Sequence, residues 1–214
     1  MYLPQHFAED RTEVLHELIR VHPLATLVHG GAEGLAADHI PLMLHQAADG
    51  RITMRGHVAR ANPLWSAADT QTVLAVFQGP HAYISPSWYA SKAEHGKVVP
   101  TWNYAVVHVY GVLTAIDDIA WFHAHASAMT DRNEASVGKS WKVTDAPDDY
   151  IRNTAKAIVG IEIAVDRIEG KWKVSQNRSA ADRAGVAAGL AVVQGTGVAS
   201  PMSQLVSDFP KRQG

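Results

Sequence analysis

Residues 52–63 read Ile52-Thr53-Met54-Arg55-Gly56-His57-Val58-Ala59-Arg60-Ala61-Asn62-Pro63. The stretch 52–58 has the composition of a β-strand. Asn62 followed by Pro63 is typical of a helix start, because asparagine caps the first turn and proline is tolerated at the first helical position. A strand end, two guanidinium groups, an imidazole and a helix start therefore fall within the nine residues 55–63.

Further strand-like segments lie on both sides at short spacing. They are predicted at residues 24–29, 40–44, 73–77, 104–116 and 161–165, with a return strand from Trp172. Gly79 with Pro80, and Glu169 with Gly170, are expected to be strand-ending turns. Pro41 cannot donate a ladder hydrogen bond, so its strand is predicted to lie at a sheet edge or to be bulged at that point.

Helices are predicted between groups of strands. They are expected at residues 10–21, 62–68, 117–129, 147–158 and 179–191, with 85–100 as a long surface loop. Because the helices do not alternate regularly with single strands, the pattern favours an antiparallel barrel over a parallel sheet. The predicted fold class is α+β with a β-barrel core.

Composition excludes several classes of protein. The 214 residues are 47% hydrophobic and 19% charged, which is typical of one folded domain. The net charge of −2 gives no excess of positive charge for nucleic acid or anionic lipid. The chain has no cysteine, which excludes disulfides, thiolate catalysis and Cys-ligated metals. Without a signal-peptide pattern or a run of roughly 20 apolar residues, a cytoplasmic protein without a membrane segment is expected.

Common catalytic motifs are missing from the sequence. No phosphate-binding P-loop occurs, and Gly195-Thr196-Gly197 lies in a tail of turn composition. His123 and His125 are two residues apart on a predicted helix, so their rings diverge and no shared metal is expected. No strained G-x-S-x-G turn presents a serine. His57, His81 and Tyr83 are candidates for proton transfer, and no catalytic residue is assigned.

Three clusters carry the remaining information. In 55–63, Arg60 and His57 could bind a phosphate, or Asn62 could simply cap a helix beside a solvated Arg60. The aromatic residues of 83–89 and 102–104 suit a flat heteroaromatic ligand, or belong to an ordinary core. The segment 169–178 could close a site, pair across a dimer, or cap the last helix.

Taken together, these segments resemble the PaiB family of FMN-binding proteins, which are described as negative transcriptional regulators. The resemblance runs from Met1 to about Leu190. It rests on Tyr2-Leu3-Pro4 with His6-Phe7, Asp38-His39-Ile40-Pro41, residues 56–63, Phe77-Gln78-Gly79-Pro80 with 83–89, and residues 99–104, 158–162 and 170–178.

The resemblance implies an FMN-binding split barrel, that is, an α+β split antiparallel β-barrel with peripheral helices. It implies a single domain over residues 1–190, a C-terminal tail over 191–214, and a homodimer with two flavin sites at its interface. Residues placed beside the flavin ring are Asp38, His39 and Ile40. Residues placed along the ribityl chain and phosphate are His57, Val58, Arg60 and Asn62. The facing subunit would contribute Trp102, Asn103, Trp172, Lys173, Ser175 and Gln176.

The first functional hypothesis is a cytoplasmic FMN-binding homodimer that transfers electrons or hydride to an unidentified small molecule. The alternatives are a DNA- or partner-binding repressor with a vestigial flavin pocket, and a haem-binding or haem-degrading split-barrel protein. Direct DNA binding is not expected, because the helix at 10–21 is acidic and is followed by Pro23 rather than by a recognition helix.

Overall fold

The computed structural model describes residues 1–31, 34–67, 71–193 and 200–209. In these ranges the chain forms eight strands and six α-helices. The strands are β1 Ala8–Glu9, β2 Leu24–Gly31, β3 Gly34–Pro41, β4 Met43–Gln46, β5 Ile52–Ala59, β6 Gln71–Ile84, β7 Thr101–Ile116 and β8 Ile158–Lys173. The helices are α1 Thr12–Val21, α2 Ser91–His95, α3 Ile119–Ser136, α4 Asp148–Lys156, α5 Ala180–Val193 and α6 Pro201–Asp208.

Short 3₁₀ helices occupy several connections. They span Gln5–Phe7, Pro63–Ala67, Pro86–Trp88 and Val143–Asp145. Among the helices of the described residues, none is both long enough and apolar enough to cross a membrane.

The strands form one antiparallel sheet in the order β3-β2-β6-β7-β8-β5-β4, and β1 pairs with the end of β8. In the register of β5 with β8, His57 lies opposite Gly160 and Val58 opposite Val159. β3 is an edge strand, so Pro41 occupies the edge position that the sequence predicts.

The chain divides into two compact units. The first contains the described residues of Met1–Leu18, Gln78–Val107 and Glu169–Gly214, and the second those of Ile19–Phe77 and His108–Ile168. β6, β7 and β8 are 14, 16 and 16 residues long and continue from one unit into the other.

In the second unit, apolar side chains of alternating strand positions form the core. Leu27, Met54, Phe77 and Ile161 are fully buried there. Asp118 caps α3 by accepting a hydrogen bond from the Trp121 backbone N–H at 2.6 Å. The Trp121 indole then packs on β8, where a Cβ at Gly160 would lie 2.3 Å from the ring. The glycine is required for this close approach of α3 to the sheet.

In the first unit, α5 packs closely on the 3₁₀ helix Pro86–Trp88. A Cβ at Gly185 would lie 2.0 Å from the Trp88 carbonyl oxygen, and one at Gly189 would lie 2.4 Å from the Trp88 ring. α6 joins this layer, since the Ser203 hydroxyl donates to the Ala187 carbonyl at 2.9 Å.

Two predicted strand ends are wrong. β6 continues through Gly79 and Pro80, and β8 continues through Glu169 and Gly170. Both glycines serve close packing: a Cβ at Gly79 would lie 3.0 Å from the Ala105 carbonyl oxygen, and one at Gly170 would lie 2.1 Å from the Leu15 side chain. Glycine marks either a turn or a tight contact, and the local sequence does not distinguish them.

Three further elements differ from the predictions. The segment 85–100 contains a 3₁₀ helix and α2 rather than loop alone. α3 extends to Ser136, because no breaker precedes Gly138, whose φ is +66°. In the region taken as a tail of turn composition, α6 is a helix capped by the Ser200 hydroxyl, while Gly195-Thr196-Gly197 lies outside the described residues.

Candidate functional site

A polar network in the second unit joins β2, β3 and the 3₁₀ helix Pro63–Ala67. Asp38 Oδ2 lies 2.9 Å from His29 Nε2, and Asp38 Oδ1 accepts a hydrogen bond from Asn62 Nδ2 at 2.9 Å. Asn62 Oδ1 in turn accepts from the Leu64 backbone N–H at 2.8 Å. Asn62 therefore does cap the helix, and Asp38 fixes its orientation.

The two residues after Asp38 point to different environments. His39 is exposed, whereas Ile40 is only 4% exposed. Ile40 packs over β5, where its Cγ2 would lie 3.3 Å from a Cβ at Gly56. Because alternate strand residues face opposite sides, Ile40 has a core position and His39 presents its ring to solvent.

His57 directs its side chain towards α3. Its ring centroid lies 5.7 Å from that of Phe122 and 5.5 Å from that of His125, both edge-on. Its Nδ1 is buried without a hydrogen-bond partner among the described residues. Burial lowers the pKa of His57, so the ring is neutral at physiological pH. Val58, on the opposite face, is 5% exposed and belongs to the core.

Arg60 is engaged in an ion pair. Its Nη1 and Nη2 donate to Asp117 at 2.8 and 2.6 Å, its Nε donates to the Lys156 carbonyl at 2.7 Å, and Nη2 also reaches the Ile158 carbonyl at 3.1 Å. The pairing raises the pKa of Arg60 and lowers that of Asp117. The side chains remain 37% and 61% exposed, so solvent reaches both partners.

In the first unit, Trp102 lies in an exposed aromatic cluster. Its indole is 54% exposed, and its ring centroid lies 6.1 Å from that of His81 and 6.2 Å from that of Tyr83. An open cavity of about 460 Å³ is lined by Gln78, His81, Trp102 and Tyr104. The cluster offers a flat apolar face with polar groups at its edge.

Asn103, the next residue, points the other way and is 1% exposed. Its Nδ2 donates to the Ser175 hydroxyl at 2.9 Å, while its Oδ1 is buried without a partner among the described residues. Ser175 has a φ of +66°, an uncommon conformation for a side-chain-bearing residue. The contact between Asn103 and Ser175 thus joins the segments 102–104 and 172–176 that the sequence analysis singled out.

The other residues of 172–176 have structural partners. Trp172 is 6% exposed and its Nε1 lacks a partner among the described residues. Lys173 Nζ donates to the Thr101 hydroxyl at 2.5 Å. Gln176 Oε1 accepts from the Val174 N–H at 2.8 Å, and its Nε2 donates to the Trp172 carbonyl. The Gln176 amide therefore holds the turn after β8.

The structure places two pairs of the predicted site residues in contact and separates others. Asp38 and Asn62 are in contact, as are Asn103 and Ser175. The His57 side chain, by contrast, faces α3 rather than this polar network. Sequence reasoning missed His29, whose contact with Asp38 depends on the β2–β3 hairpin, and Asp117. The guanidinium of Arg60 indicates that a carboxylate partner exists, but the sequence does not indicate which carboxylate it is.

A family model described as "Putative FMN-binding domain" matches residues 1–167. An uncharacterised protein of Emericella nidulans is 34% identical over 226 residues, covering 89% of this chain and 90% of that protein. "Protease synthase and sporulation protein PAI 2" of Bacillus subtilis is 31% identical over 216 residues and covers 100% of both chains.

Among solved structures, the FAD and haem binding protein of Mycobacterium smegmatis matches with a TM-score of 0.54 and 15% identity. The match covers 78% of this chain and 73% of that chain. At this identity the likeness shows the fold alone. The predicted fold class, an α+β split antiparallel barrel with peripheral helices, is confirmed.

Proposed function

The chain belongs to the family of this FMN-binding domain, as its resemblance to the PaiB proteins indicated, and from this premise we propose that it binds FMN at a site shared by two copies of the chain. The observation that carries the proposal is the exposed Trp102 cluster, with its cavity of about 460 Å³. That volume lies within the range of about 300–1,000 Å³ for small-molecule sites.

The side chains around this cavity fit the ring of a flavin. The flat apolar face of the flavin ring suits the Trp102 indole, and the polar edge of the ring requires fixed hydrogen-bonding groups. Gln78 and His81, which line the cavity together with Trp102, carry such groups.

The backbone of β5 is suited to the same role. The pairing of β4 with β5 ends at Arg55, whereas β5 continues to Ala59. Over residues 56–59, the described strand pairings therefore leave the β4 side of β5 without a ladder partner, and its backbone groups can serve a ligand. The Asp38–Asn62 contact would hold β3 beside this edge.

Arg60 fits the flavin phosphate, provided that the phosphate replaces Asp117. The Arg60–Asp117 pair is exposed, and exposed ion pairs contribute little to stability. A phosphate dianion offers stronger charge-assisted hydrogen bonds to a guanidinium. The His57 side chain faces α3 and would not contact this phosphate.

The proposed homodimer would place the ring- and phosphate-binding segments 38–40 and 57–62 of one copy against segments 102–103 and 172–176 of another. Support comes from exposed aromatic side chains: Trp102 is 54% and Tyr83 48% exposed. Neighbouring exposed aromatic residues are typical of an interaction surface.

Bound FMN would supply electron or hydride transfer, while the protein would orient the ring and hold its phosphate. We therefore propose a flavin-dependent oxidoreductase acting on a small molecule that is not yet identified. Transcriptional regulation is the alternative role. Haem is the alternative ligand, since the structural relative from Mycobacterium smegmatis binds FAD and haem.

The test is a visible-absorption titration of the purified chain with FMN, FAD and haemin, together with its mass in solution by light scattering. We expect saturable binding of one FMN per subunit by a dimer, weakened in Trp102→Ala. Trp141→Ala is the matched control, because Trp141 is also exposed, at 46%, and lies outside the cluster. A folded protein that binds no flavin, or a Trp102→Ala variant with unchanged affinity, would contradict the proposal.

A further inference from the structure

A second cavity, of about 150 Å³, lies within the second unit between β4, β5 and α3. Most of its wall is apolar and consists of Met43, Leu44, Trp121, Ala124 and Ala128. The three-ring flavin system is too large for this volume, whereas a cavity of about 150 Å³ is known to hold a molecule of the size of benzene. The cavity therefore suits a smaller ligand than the flavin.

Arg55 places a positive charge at this cavity. Its Nε donates to Glu162 Oε2 at 2.7 Å, and the side chains are 32% and 27% exposed. Among the described residues no hydrogen-bond partner engages its two Nη groups. A guanidinium with both terminal nitrogens available matches the geometry of a carboxylate, which it can bind through two parallel hydrogen bonds.

His125 lines the same cavity and is only 7% exposed. Its ring stacks on Trp121 with a centroid distance of 5.1 Å and an interplanar angle of 18°. Its Nε2 is buried without a partner among the described residues. Burial lowers the pKa of His125 to about 4, with smaller contributions from repulsion by Arg55 and by His57 when it is protonated, so the ring is neutral near pH 7.

The charge at the wall of this cavity determines which class of ligand the cavity favours. With His57 and His125 neutral, Arg55 is the permanently charged residue among the described lining residues, since its ion-pair partner Glu162 does not line the cavity. The guanidinium therefore disfavours a cation and favours an anion. The third polar lining residue, His45, is exposed and adds a further donor. The apolar wall excludes a fully hydrated anion, since its water would have to be removed.

We propose that this cavity binds a small monocarboxylate with an apolar body of about the size of a benzene ring. The carboxylate lies on the Nη groups of Arg55, and the apolar body packs against Trp121 and Leu44. None of the residues that line this cavity is among those proposed to hold the flavin.

The experiment is isothermal titration of the full chain with benzoate, and with benzamide as the uncharged analogue of the same shape. We expect one benzoate per subunit with a Kd below about 1 mM and at least roughly tenfold weaker binding of benzamide. Arg55→Met should weaken benzoate binding at least about tenfold. Arg152→Met is the matched control, because Arg152 is exposed on α4 and should leave the affinity unchanged.

A second variant keeps the test valid if Arg55→Met does not fold, since that substitution leaves Glu162 unpaired. Ala124→Leu narrows the cavity from the α3 side and should abolish benzoate binding. No saturable binding up to about 10 mM, equal affinity for benzamide, or unchanged affinity in Ala124→Leu would overturn the proposal. Displacement of benzoate by FMN would also overturn it, because the cavity would then belong to the flavin site.

Discussion

Replacing Asn103 by leucine together with Ser175 by glycine tests whether the buried Oδ1 of Asn103 lacks a compensating partner. The Asn103 side chain is 1% exposed and makes one hydrogen bond, from Nδ2 to the Ser175 hydroxyl, while its Oδ1 lacks a partner among the described residues. Leucine has a similar shape and removes both polar atoms of Asn103. Glycine removes the Ser175 hydroxyl, which is 4% exposed and would otherwise lose its partner, and it tolerates the φ of +66° at that position. We expect the ligand-free protein to become more stable and, because Trp102 points the other way, the affinity for a flavin on the Trp102 side to stay unchanged.

The magnitude follows from these two groups. Loss of the hydrogen bond to Ser175 costs about 0.5–1.5 kcal/mol, whereas removal of the unpartnered buried oxygen gains about 1–3 kcal/mol. The difference predicts a free energy of unfolding about 0.5–1.5 kcal/mol higher. In a chain of this length, that corresponds to a rise in Tm of about 1–6 °C.

The assay combines thermal unfolding without ligand and fluorescence titration with FMN. Asn133→Leu is a control at an exposed position of α3, where neither quantity should change. A lower Tm in the Asn103→Leu/Ser175→Gly variant would mean that the Oδ1 of Asn103 already has a compensating partner. Weaker FMN binding would mean that the flavin lies on the Asn103 side of β7 rather than on the Trp102 side. Either result refutes the reasoning.

Three further predictions concern charge, packing and pH. Arg60→Met should weaken FMN binding at least about tenfold and leave riboflavin binding unchanged, because riboflavin has no phosphate. Asp117→Asn should strengthen the binding of FMN but not that of riboflavin, and titrations of each variant with both ligands measure these effects. Gly189→Ala should lower Tm although alanine favours helices, because the new Cβ would lie 2.4 Å from the Trp88 ring; an increase in Tm would contradict the packing. The pKa of His125 is lowered from 6.5 to about 4, so between these two pH values the unfolded chain binds more protons than the folded chain. Stability should therefore fall as pH decreases from about 6.5 to about 4 in denaturant titrations, and the fall should be smaller in His125→Leu.

The sequence predicts most strands because their apolar residues alternate, but it cannot assign every glycine. Gly79 and Gly170 were expected at turns, whereas each lies within a long strand where another segment approaches closely. The approaching groups, near Leu15 and Ala105, are distant in sequence. Local composition holds no information about such contacts.

The candidate site shows a similar division. The resemblance singled out Asp38 and Asn62, which do contact each other, although 24 positions separate them. The direction of the His57 side chain could not be predicted, because it is determined by Phe122 and His125 on a helix more than 60 residues later. Which carboxylate pairs with Arg60 likewise depends on the sheet that places Asp117 nearby.

The Arg60–Asp117 pair makes binding at Arg60 depend on the charge of the incoming anion. Any anion that occupies the guanidinium must first displace a carboxylate carrying one negative charge. A singly charged group replaces one negative charge beside Arg60 by another, so the exchange adds little binding energy. A terminal phosphate, with up to two charges, gains from the exchange. Because the phosphates of FAD are diesters with one charge each, Asp117 would act as an internal competitor that favours FMN over FAD.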